Sequence, residues 1–134
     1  MPDRLLVAVV DDEDDVLRAL RRLIGTFGHA VETYASGHEF LASLEDHVPD
    51  CVLLDLRMPG MTGFDVQSRL AAGGFRVPVV IISANDDSGA RDEAIGAGAS
   101  EYLSKPMDAE RLLSTIERIA TCRRPPGMDA SGDG

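Results

Sequence analysis

Short apolar runs alternate with segments of helical periodicity along the 134-residue chain, and this alternation limits the folds available to it. The runs are rich in valine, isoleucine and leucine, which is typical of strands buried on both faces. Between them, apolar residues recur at the three- and four-residue spacing of amphipathic helices. The pattern predicts strands at 5–10, 30–34, 50–54, 77–82 and 102–103, and helices around 16–27, 36–44, 64–70, 89–97 and 108–119.

Strict alternation of five strands with five helices is typical of a parallel sheet covered by helices on both faces. We therefore predict an α/β, single-domain, doubly wound (βα)5 fold of the flavodoxin-like type. The strand order expected for that type is 2-1-3-4-5, with right-handed crossovers. Residues 1–122 are expected to form the domain and residues 123–134 a flexible C-terminal tail. The fourth helix has few large apolar residues, so we expect it to be the least firmly packed.

The charge balance disfavours several classes of function. The chain has 13 lysines and arginines against 23 aspartates and glutamates, a formal net charge of −10 at pH 7. Direct nucleic-acid binding is not expected, because phosphate backbones are bound by clustered basic residues. Two isolated cysteines, Cys51 and Cys122, make no disulfide framework and favour a reduced, cytoplasmic protein. Because no apolar run approaches ~18 residues, membrane insertion is not expected either.

Polar and charged residues follow four of the five predicted strands. Asp11 and Asp12 come after the first strand, Asp55 after the third, Ser83 after the fourth and Lys105 after the fifth. In a 2-1-3-4-5 sheet those four strands are neighbours, and ligands bind beyond their carboxyl ends. The five side chains should therefore converge on one crevice.

Three carboxylates in one crevice repel one another, and a bound cation relieves that repulsion. A small set of oxygen ligands, with room left for water and a phosphate, suits Mg²⁺ better than Ca²⁺, and Mn²⁺ has similar preferences. Lys105 is suited to an anionic oxygen, and the Ser83 hydroxyl can donate a hydrogen bond to another. This combination predicts a phosphoryl-transfer site in which Asp55 is the nucleophile and an aspartyl phosphate forms.

Four short motifs occur in order at these strand ends and carry a resemblance to a known family: Val9-Val10-Asp11-Asp12, Leu53-Leu54-Asp55-Leu56-Arg57-Met58-Pro59-Gly60, Ile82-Ser83-Ala84 and Lys105-Pro106. They resemble the receiver domain of bacterial two-component response regulators, the CheY-like superfamily. The resemblance runs from about Leu5 to Ala120. The segment 34–41 is similar to receivers of FixJ- and NarL-type regulators, which are often joined to a helix-turn-helix domain.

The resemblance implies a role for each residue of the crevice. Asp55 is implied as the phospho-acceptor and Lys105 as the cation that pairs with the phosphoryl group. Asp12 is implied as the main Mg²⁺ ligand beside Asp55, with Asp11 acting through bound water. The backbone carbonyl of Arg57 would complete the protein ligands.

The same resemblance implies a switch pair, Ser83 and Tyr102. The Ser83 hydroxyl would move toward the phosphate and the Tyr102 ring would turn inward behind it, whereas simple packing at the sheet edge is the alternative interpretation of Tyr102. A cis peptide between Lys105 and Pro106 would aim the lysine. Arg57 and Asn85 border the phosphoryl group in this family and are expected to tune the lifetime of the phosphate.

The implied function is a phosphorylation-driven switch, not an enzyme beyond Mg²⁺-dependent self-phosphorylation and slow self-dephosphorylation. The donor would be a cognate sensor histidine kinase or a histidine phosphotransfer protein. The output would be a downstream protein or a second copy, met through the surface of the fourth helix, fifth strand and fifth helix. A stand-alone regulator is expected, since no helix-turn-helix follows residue 122, and the receiver of a longer DNA-binding regulator is the alternative.

Three other functions fit the residues less well. A haloacid-dehalogenase-like phosphatase requires a second aspartate two residues after its nucleophile, where this chain has Arg57. A flavin-binding module of this topology requires a Ser/Thr/Gly-rich phosphate loop after the first strand, but the acidic run 11–15 would repel a phosphate. A receiver-like module that has lost phosphorylation is not expected to keep the whole residue set.

Overall fold

The computed structural model of the chain describes residues 4–83, 88–105 and 108–123, and these residues form five strands and five helices in alternation. The strands are β1 (Leu6–Val10), β2 (Ala30–Tyr34), β3 (Cys51–Asp55), β4 (Val79–Ser83) and β5 (Glu101–Ser104). The helices are α1 (Asp14–Thr26), α2 (Gly37–Ser43), α3 (Gly63–Ala72), α4 (Ser88–Gly96) and α5 (Ala109–Arg123). Three expectations lie outside the described residues: the role of Asn85, the cis peptide before Pro106, and the tail over 124–134.

The strands form one sheet of order β2-β1-β3-β4-β5, and all four pairings are parallel. The predicted fold class and strand order are therefore confirmed. Asp55 pairs with Ile82, and Ser83 pairs with Ser104, so β3, β4 and β5 end at the same edge. The strand order therefore brings the residues that we predict to converge to that edge of the sheet.

Two hydrophobic cores, one on each face of the sheet, hold the helices in place. One face packs α1 and α5 through Leu17, Leu20, Ile24, Leu112, Ile116 and Ile119. The other face packs α2, α3 and α4 through Phe40, Leu44, Val66, Leu70, Ala90 and Ala94. Every residue of β3 and β4 is buried, as the apolar runs predict. Among the described residues, no helix has both the length and the apolar character to cross a membrane.

β3 and β4 each extend one residue further than predicted, to Asp55 and Ser83. Both polar residues are therefore the last members of buried strands rather than the first residues of loops, and they are 7% and 1% exposed. β4 also begins later than predicted, at Val79, because Pro78 has no N–H to donate to the ladder. The Pro78 carbonyl still accepts a hydrogen bond from the Val52 N–H at 3.0 Å.

Side-chain caps fix the first turns of three helices. The Ser36 hydroxyl accepts a hydrogen bond from the Glu39 N–H at the start of α2, and an Asp108 carboxylate oxygen accepts one from the Arg111 N–H at the start of α5. Thr62 and Asp65 form a reciprocal capping box at the start of α3. α3 therefore has a well-defined beginning next to the end of β3.

Gly63 brings the start of α3 into direct contact with the end of β3. A Cβ at this position would lie 2.9 Å from the Asp55 carbonyl oxygen and 3.0 Å from Leu56 Cα, both main-chain atoms. The Gly63 N–H also donates to the Leu56 carbonyl at 2.9 Å. Only glycine fits here, so the main chain of Asp55 and the first turn of α3 move as one unit.

Replacing Gly63 with alanine should force the β3–α3 connection apart. We expect Gly63→Ala to lower the free energy of unfolding by about 1–3 kcal/mol, as overpacking against backbone does. Gly25 is the matched control, because it is helical and its Cβ would meet nothing within 4 Å. Gly25→Ala should raise stability by about 0.5–1 kcal/mol. Urea unfolding midpoints measure both, and equal effects of the two substitutions would contradict the close approach.

Candidate functional site

Three carboxylates meet at the carboxyl-end edge of the sheet. Asp55 is the last residue of β3, and Asp11 and Asp12 follow the neighbouring strand β1. One carboxylate oxygen from each of the three lies within 4.8 Å of the other two. Asp11 and Asp55 are buried, whereas Asp12 is exposed to solvent. The predicted convergence of the acidic residues is therefore present.

Lys105 lies across from two of these carboxylates. Its Nζ is 3.0 Å from Asp11 Oδ2 and 3.4 Å from Asp55 Oδ1. The lysine side chain is 18% exposed, so the contacts form in a partly desolvated position where charges interact strongly. The Lys105 N–H donates to the Ser83 carbonyl at 2.8 Å, which fixes the backbone of the lysine to the end of β4.

Burial and charge repulsion raise the pKa of the Asp55 carboxyl to about 6. Burial is the larger cause, the neighbouring Asp11 adds to it, and the positive charge of Lys105 opposes both. Burial alone would lower the pKa of Lys105, but its hydrogen bond to Asp11 and the nearby Asp55 charge raise it. The lysine thus stays charged, and it compensates the two buried carboxylates only in part.

Asp11 has a protein partner on each of its carboxylate oxygens. Oδ2 accepts from Lys105, and Oδ1 accepts from the Glu13 N–H at 2.9 Å. Asp11 therefore orders the connection between β1 and α1 and also holds the lysine. Asp12 differs, because its exposed carboxylate borders the cluster from the solvent side. The roles of Asp12 as the direct metal ligand and of Asp11 as a ligand through water stay predictions.

Ser83 and Tyr102 lie on neighbouring strands and on one face of the sheet. Tyr102 pairs with Ile81 in the register of β4 and β5, and Ser83 is two residues beyond Ile81. Tyr102 is 2% exposed and belongs to the core beneath α4. The ring is thus in an inward, buried position, and its part in a switch stays a prediction. Arg91 of α4 places its guanidinium carbon 6.0 Å from the ring centroid and its Nη1 3.5 Å from the Tyr102 carbonyl.

Arg57 stands apart from the other predicted site residues. It lies two residues beyond β3, in the connection to α3, and its side chain is exposed. With Met58 and Phe64 it lines one side of an open cleft of about 700 Å³, and Ala90 and Glu93 of α4 line the other. The role of its carbonyl as a metal ligand remains a prediction.

Sequence reasoning missed two features of the site. The Thr62–Asp65 capping box was legible as a Thr-x-x-Asp pattern, but the glycines and proline around it favoured a turn. The contact of Gly63 with the Asp55 main chain depends on how α3 approaches β3, and no local pattern encodes it. Both features lie at the start of α3, the helix that follows Asp55 in the chain.

The donor set fits a hard divalent cation. The cluster consists of carboxylate oxygens, which Mg²⁺ prefers, and it is small enough for the ion to keep several waters. Asp12 faces solvent, so those waters have access. The residual negative charge left by Lys105 adds an electrostatic reason for a cation to bind.

Known proteins are similar to this chain in sequence and in fold. The profile of the response regulator receiver domain matches residues 7–117. The chain belongs to the response regulator receiver domains. KdpE of Mycobacterium tuberculosis, a transcriptional regulatory protein, is 40% identical over 111 residues, which are 83% of this chain and 49% of KdpE. The crystal structure of a receiver protein from Burkholderia phymatum is 45% identical, with a TM-score of 0.80 over 88% of this chain and 96% of that one.

Full-length FixJ from B. japonicum is also similar, at 28% identity, with a TM-score of 0.86 over 92% of this chain and 61% of FixJ. The chain spans about half the length of the curated relatives it matches. Receiver domains are signalling switches of two-component systems and bind Mg²⁺ at an acidic pocket. This chain has an acidic cluster at the carboxyl-end edge of its sheet.

Neutralising Asp55 should stabilise this receiver domain in a pH-dependent way. The folded state holds the Asp55 proton more tightly than the unfolded chain, whose pKa is about 4. Ionisation therefore costs stability as pH rises from about 4, and the cost is complete above about pH 6. In buffer with EDTA, Asp55→Asn should gain roughly 1–3 kcal/mol at pH 7.5, after allowance for solvent screening, and little at pH 4.

The control for that comparison is Asp46→Asn. Asp46 is exposed in the connection before β3 and is not a member of the carboxylate cluster. Its substitution should leave the pH dependence of the unfolding midpoint unchanged. An Asp55→Asn gain of the same size at pH 4 and pH 7.5 would show that repulsion at Asp55 is not the cause.

Proposed function

We propose that this receiver accepts a phosphoryl group on Asp55 from a phosphohistidine of a sensor histidine kinase or a histidine phosphotransfer protein. The observation that carries the proposal is the buried Asp55 carboxylate with Lys105 3.4 Å away. An Asp55 oxygen attacks phosphorus, the phosphorus–nitrogen bond breaks, and its electron pair returns to the imidazole, which takes up a proton. The product is an aspartyl phosphate.

The described residues support separate roles in this transfer. At pH 7 most of Asp55 is ionised, because its pKa of about 6 lies below that pH, so the nucleophile is available. Lys105 is placed to pair with a phosphoryl oxygen once Asp55 is esterified, and its contact with Asp11 keeps it aimed. The Ser83 hydroxyl, buried at the end of β4, would donate to another phosphoryl oxygen.

Asp12 and Asp55 would hold Mg²⁺, with Asp11 acting through water and the Arg57 carbonyl as a further ligand. Mn²⁺ would serve as well, because it accepts the same oxygen ligands. The bound cation would neutralise charge on the carboxylates and on the phosphoryl oxygens. The activity of the chain itself is confined to Mg²⁺-dependent self-phosphorylation and slow self-dephosphorylation.

The signal would leave through the α4-β5-α5 surface. Phosphate on Asp55 would recruit Ser83 and further favour the inward position that the Tyr102 ring already holds. A downstream protein or a second copy of the chain would bind that surface, in the cytoplasm of a bacterium. Residues 1–123 would form the receiver unit, because α5 continues through Arg123, one residue past the predicted boundary, and 124–134 would form the tail. The similarity to KdpE, a transcriptional regulatory protein, supports a role as the receiver of a longer regulator, and action by direct contact with a partner protein is the other candidate.

Mg²⁺ should stabilise the folded chain, because the carboxylate cluster exists only in the folded state. We expect the melting temperature to rise by about 3–6 °C at 10 mM Mg²⁺ if the dissociation constant is near 1 mM. Asp12→Asn should remove most of the shift, and Asp46→Asn should keep it. Differential scanning fluorimetry with Ca²⁺ as a second titrant measures this, and a wild-type melting temperature indifferent to Mg²⁺ would count against the metal site.

Phosphorylation is tested by intact mass after incubation with acetyl phosphate. The wild type and Asp46→Asn should gain the mass of one phosphoryl group with Mg²⁺ and not with EDTA. Asp55→Asn should gain nothing, because its amide cannot act as the nucleophile. Equal modification of Asp55→Asn at the same site would refute the assignment. If the wild type gains no mass, titration with beryllium fluoride separates a donor-selective receiver, which binds it, from a module that does not use phosphate.

A further inference from the structure

α4 is held to the rest of the receiver by small side chains and a few polar contacts. Its buried side chains among the described residues are Ala90 and Ala94, whereas Ile95 is 43% exposed. Alanine buries little apolar area, so these contacts contribute little stabilisation. A hydrogen bond to α4 therefore supplies a larger share of the free energy that holds the helix in place than it would for α1 or α5.

Gln67 of α3 supplies such a hydrogen bond. Its side chain is buried, and Nε2 donates to the Ala94 carbonyl at 3.1 Å. That carbonyl also accepts from the N–H of Ala99 at 3.0 Å, so it does not need Gln67 to be satisfied. The amide of Gln67 therefore does not serve to complete the helix end. It ties α4 to α3.

The other half of the Gln67 amide lacks a partner. Oε1 is buried and has no hydrogen-bond partner among the described residues. A buried acceptor in this state raises the free energy of the arrangement that contains it. An arrangement of α4 that brings water or an N–H to Oε1 would relieve that cost. A second position of α4 therefore competes in free energy with the resting position.

Space for such a rearrangement is present beside Gln67. A cavity of about 120 Å³ lies between α3, β4 and the turn after α4, and Gln67, Leu70, Phe75, Val79 and Gly98 are among the residues that line it. Packed interiors resist displacement, so free volume at this contact permits one that the rest of the core would not. The contact of Gln67 with the end of α4 therefore borders free space rather than densely packed core.

α3 also connects Gln67 to the phospho-acceptor. The first residue of the helix, Gly63, lies against the main chain of Asp55, and Gln67 is four residues, about one turn, further along. The capping box of Thr62 and Asp65 keeps this turn rigid. A displacement of the Asp55 main chain is therefore carried to the Gln67 side chain.

We propose that Gln67 is a positioning residue that ties α4 to α3 and makes the position of α4 depend on the state of Asp55. The coupling part rests on the proposed phosphorylation of Asp55. The tie itself does not, because it is a property of the resting protein. A charge change at Asp55 moves the start of α3, shifts the Gln67 amide, and exchanges the Ala94 hydrogen bond for one to Oε1.

The test compares amide hydrogen exchange of residues 89–98 in the wild type, Gln67→Leu and Ser68→Ala. Leucine has a similar volume and removes both the Nε2 bond and the unsatisfied Oε1, so the global melting temperature should change little. Exchange in α4 of the resting Gln67→Leu protein should be roughly two- to tenfold faster than in the wild type. Ser68 is exposed on the same helix, and Ser68→Ala should match the wild type.

The same proteins are then measured with Mg²⁺ and beryllium fluoride, a non-covalent mimic of the phosphoryl group. The wild type should change its α4 exchange on binding, and Gln67→Leu should lose at least half of that change. Resting exchange equal to wild type overturns the tie. An undiminished response in Gln67→Leu, or no α4 response in a wild type that binds the mimic, overturns the coupling.

A failure of the proposed function gives an outcome different from a failure of the tie and from a failure of the coupling. A wild type that neither gains phosphoryl mass nor binds beryllium fluoride refutes phosphorylation and the coupling together, while the resting comparison still decides the tie. If Gln67→Leu does not fold, Gln67→Met, which keeps an unbranched chain of similar length, takes its place with the same expected values.

Discussion

The contacts of Lys105 with Asp11 and Asp55 are the interactions on which the site depends. Their three members come from the ends of β1, β3 and β5, so they meet only in a sheet of this order. One lysine faces two buried carboxylates and a third at the surface, and the pKa of Asp55 stays raised despite it. The folded state therefore keeps a local excess of negative charge. A cation is the ligand that such an excess favours, and an anionic group can approach Asp55 only when a cation and Lys105 offset that charge.

The chain holds this charged cluster rigidly and attaches a neighbouring helix loosely. Asp55 and Ser83 are the last residues of fully buried strands, and Gly63 presses the capped start of α3 against the Asp55 main chain. α4 packs on the face of the sheet that also carries α3, and its buried side chains there are alanines. A rigid site transmits a change of charge as a displacement instead of absorbing it, and the least anchored element is the one that moves.

Much of this organisation could be predicted from the sequence, because it is encoded locally. Apolar periodicity fixed the ten elements, and the residues after each strand located the crevice once the strand order was assumed. The missing parts depend on contacts between distant elements. The strand order predicts that Asp11 and Lys105 meet across 94 residues of sequence, whereas no pattern predicts the Gln67–Ala94 hydrogen bond, which spans 27. In the sequence, Gln67 is an ordinary polar residue of a predicted helix. Only the structure shows that its Oε1 is buried without a partner among the described residues. The ends of β3 and β4 were misplaced by one residue because polar side chains usually mark the end of a strand, whereas here they are paired within the sheet.

Two connections between the Asp55 cluster and α4 follow from the geometry, and they meet on one turn of that helix. One runs along the sheet from Ser83 to Tyr102, whose carbonyl is 3.5 Å from Arg91 Nη1. The other runs through α3 from Gly63 to Gln67 and ends on the Ala94 carbonyl. Positions 91 and 94 are neighbours on the helix surface, so a rigid helix cannot move at one and stay in place at the other. Each connection therefore opposes a change in the other until both change together. That constraint favours two discrete positions of α4 over a graded shift, which is the behaviour a switch requires.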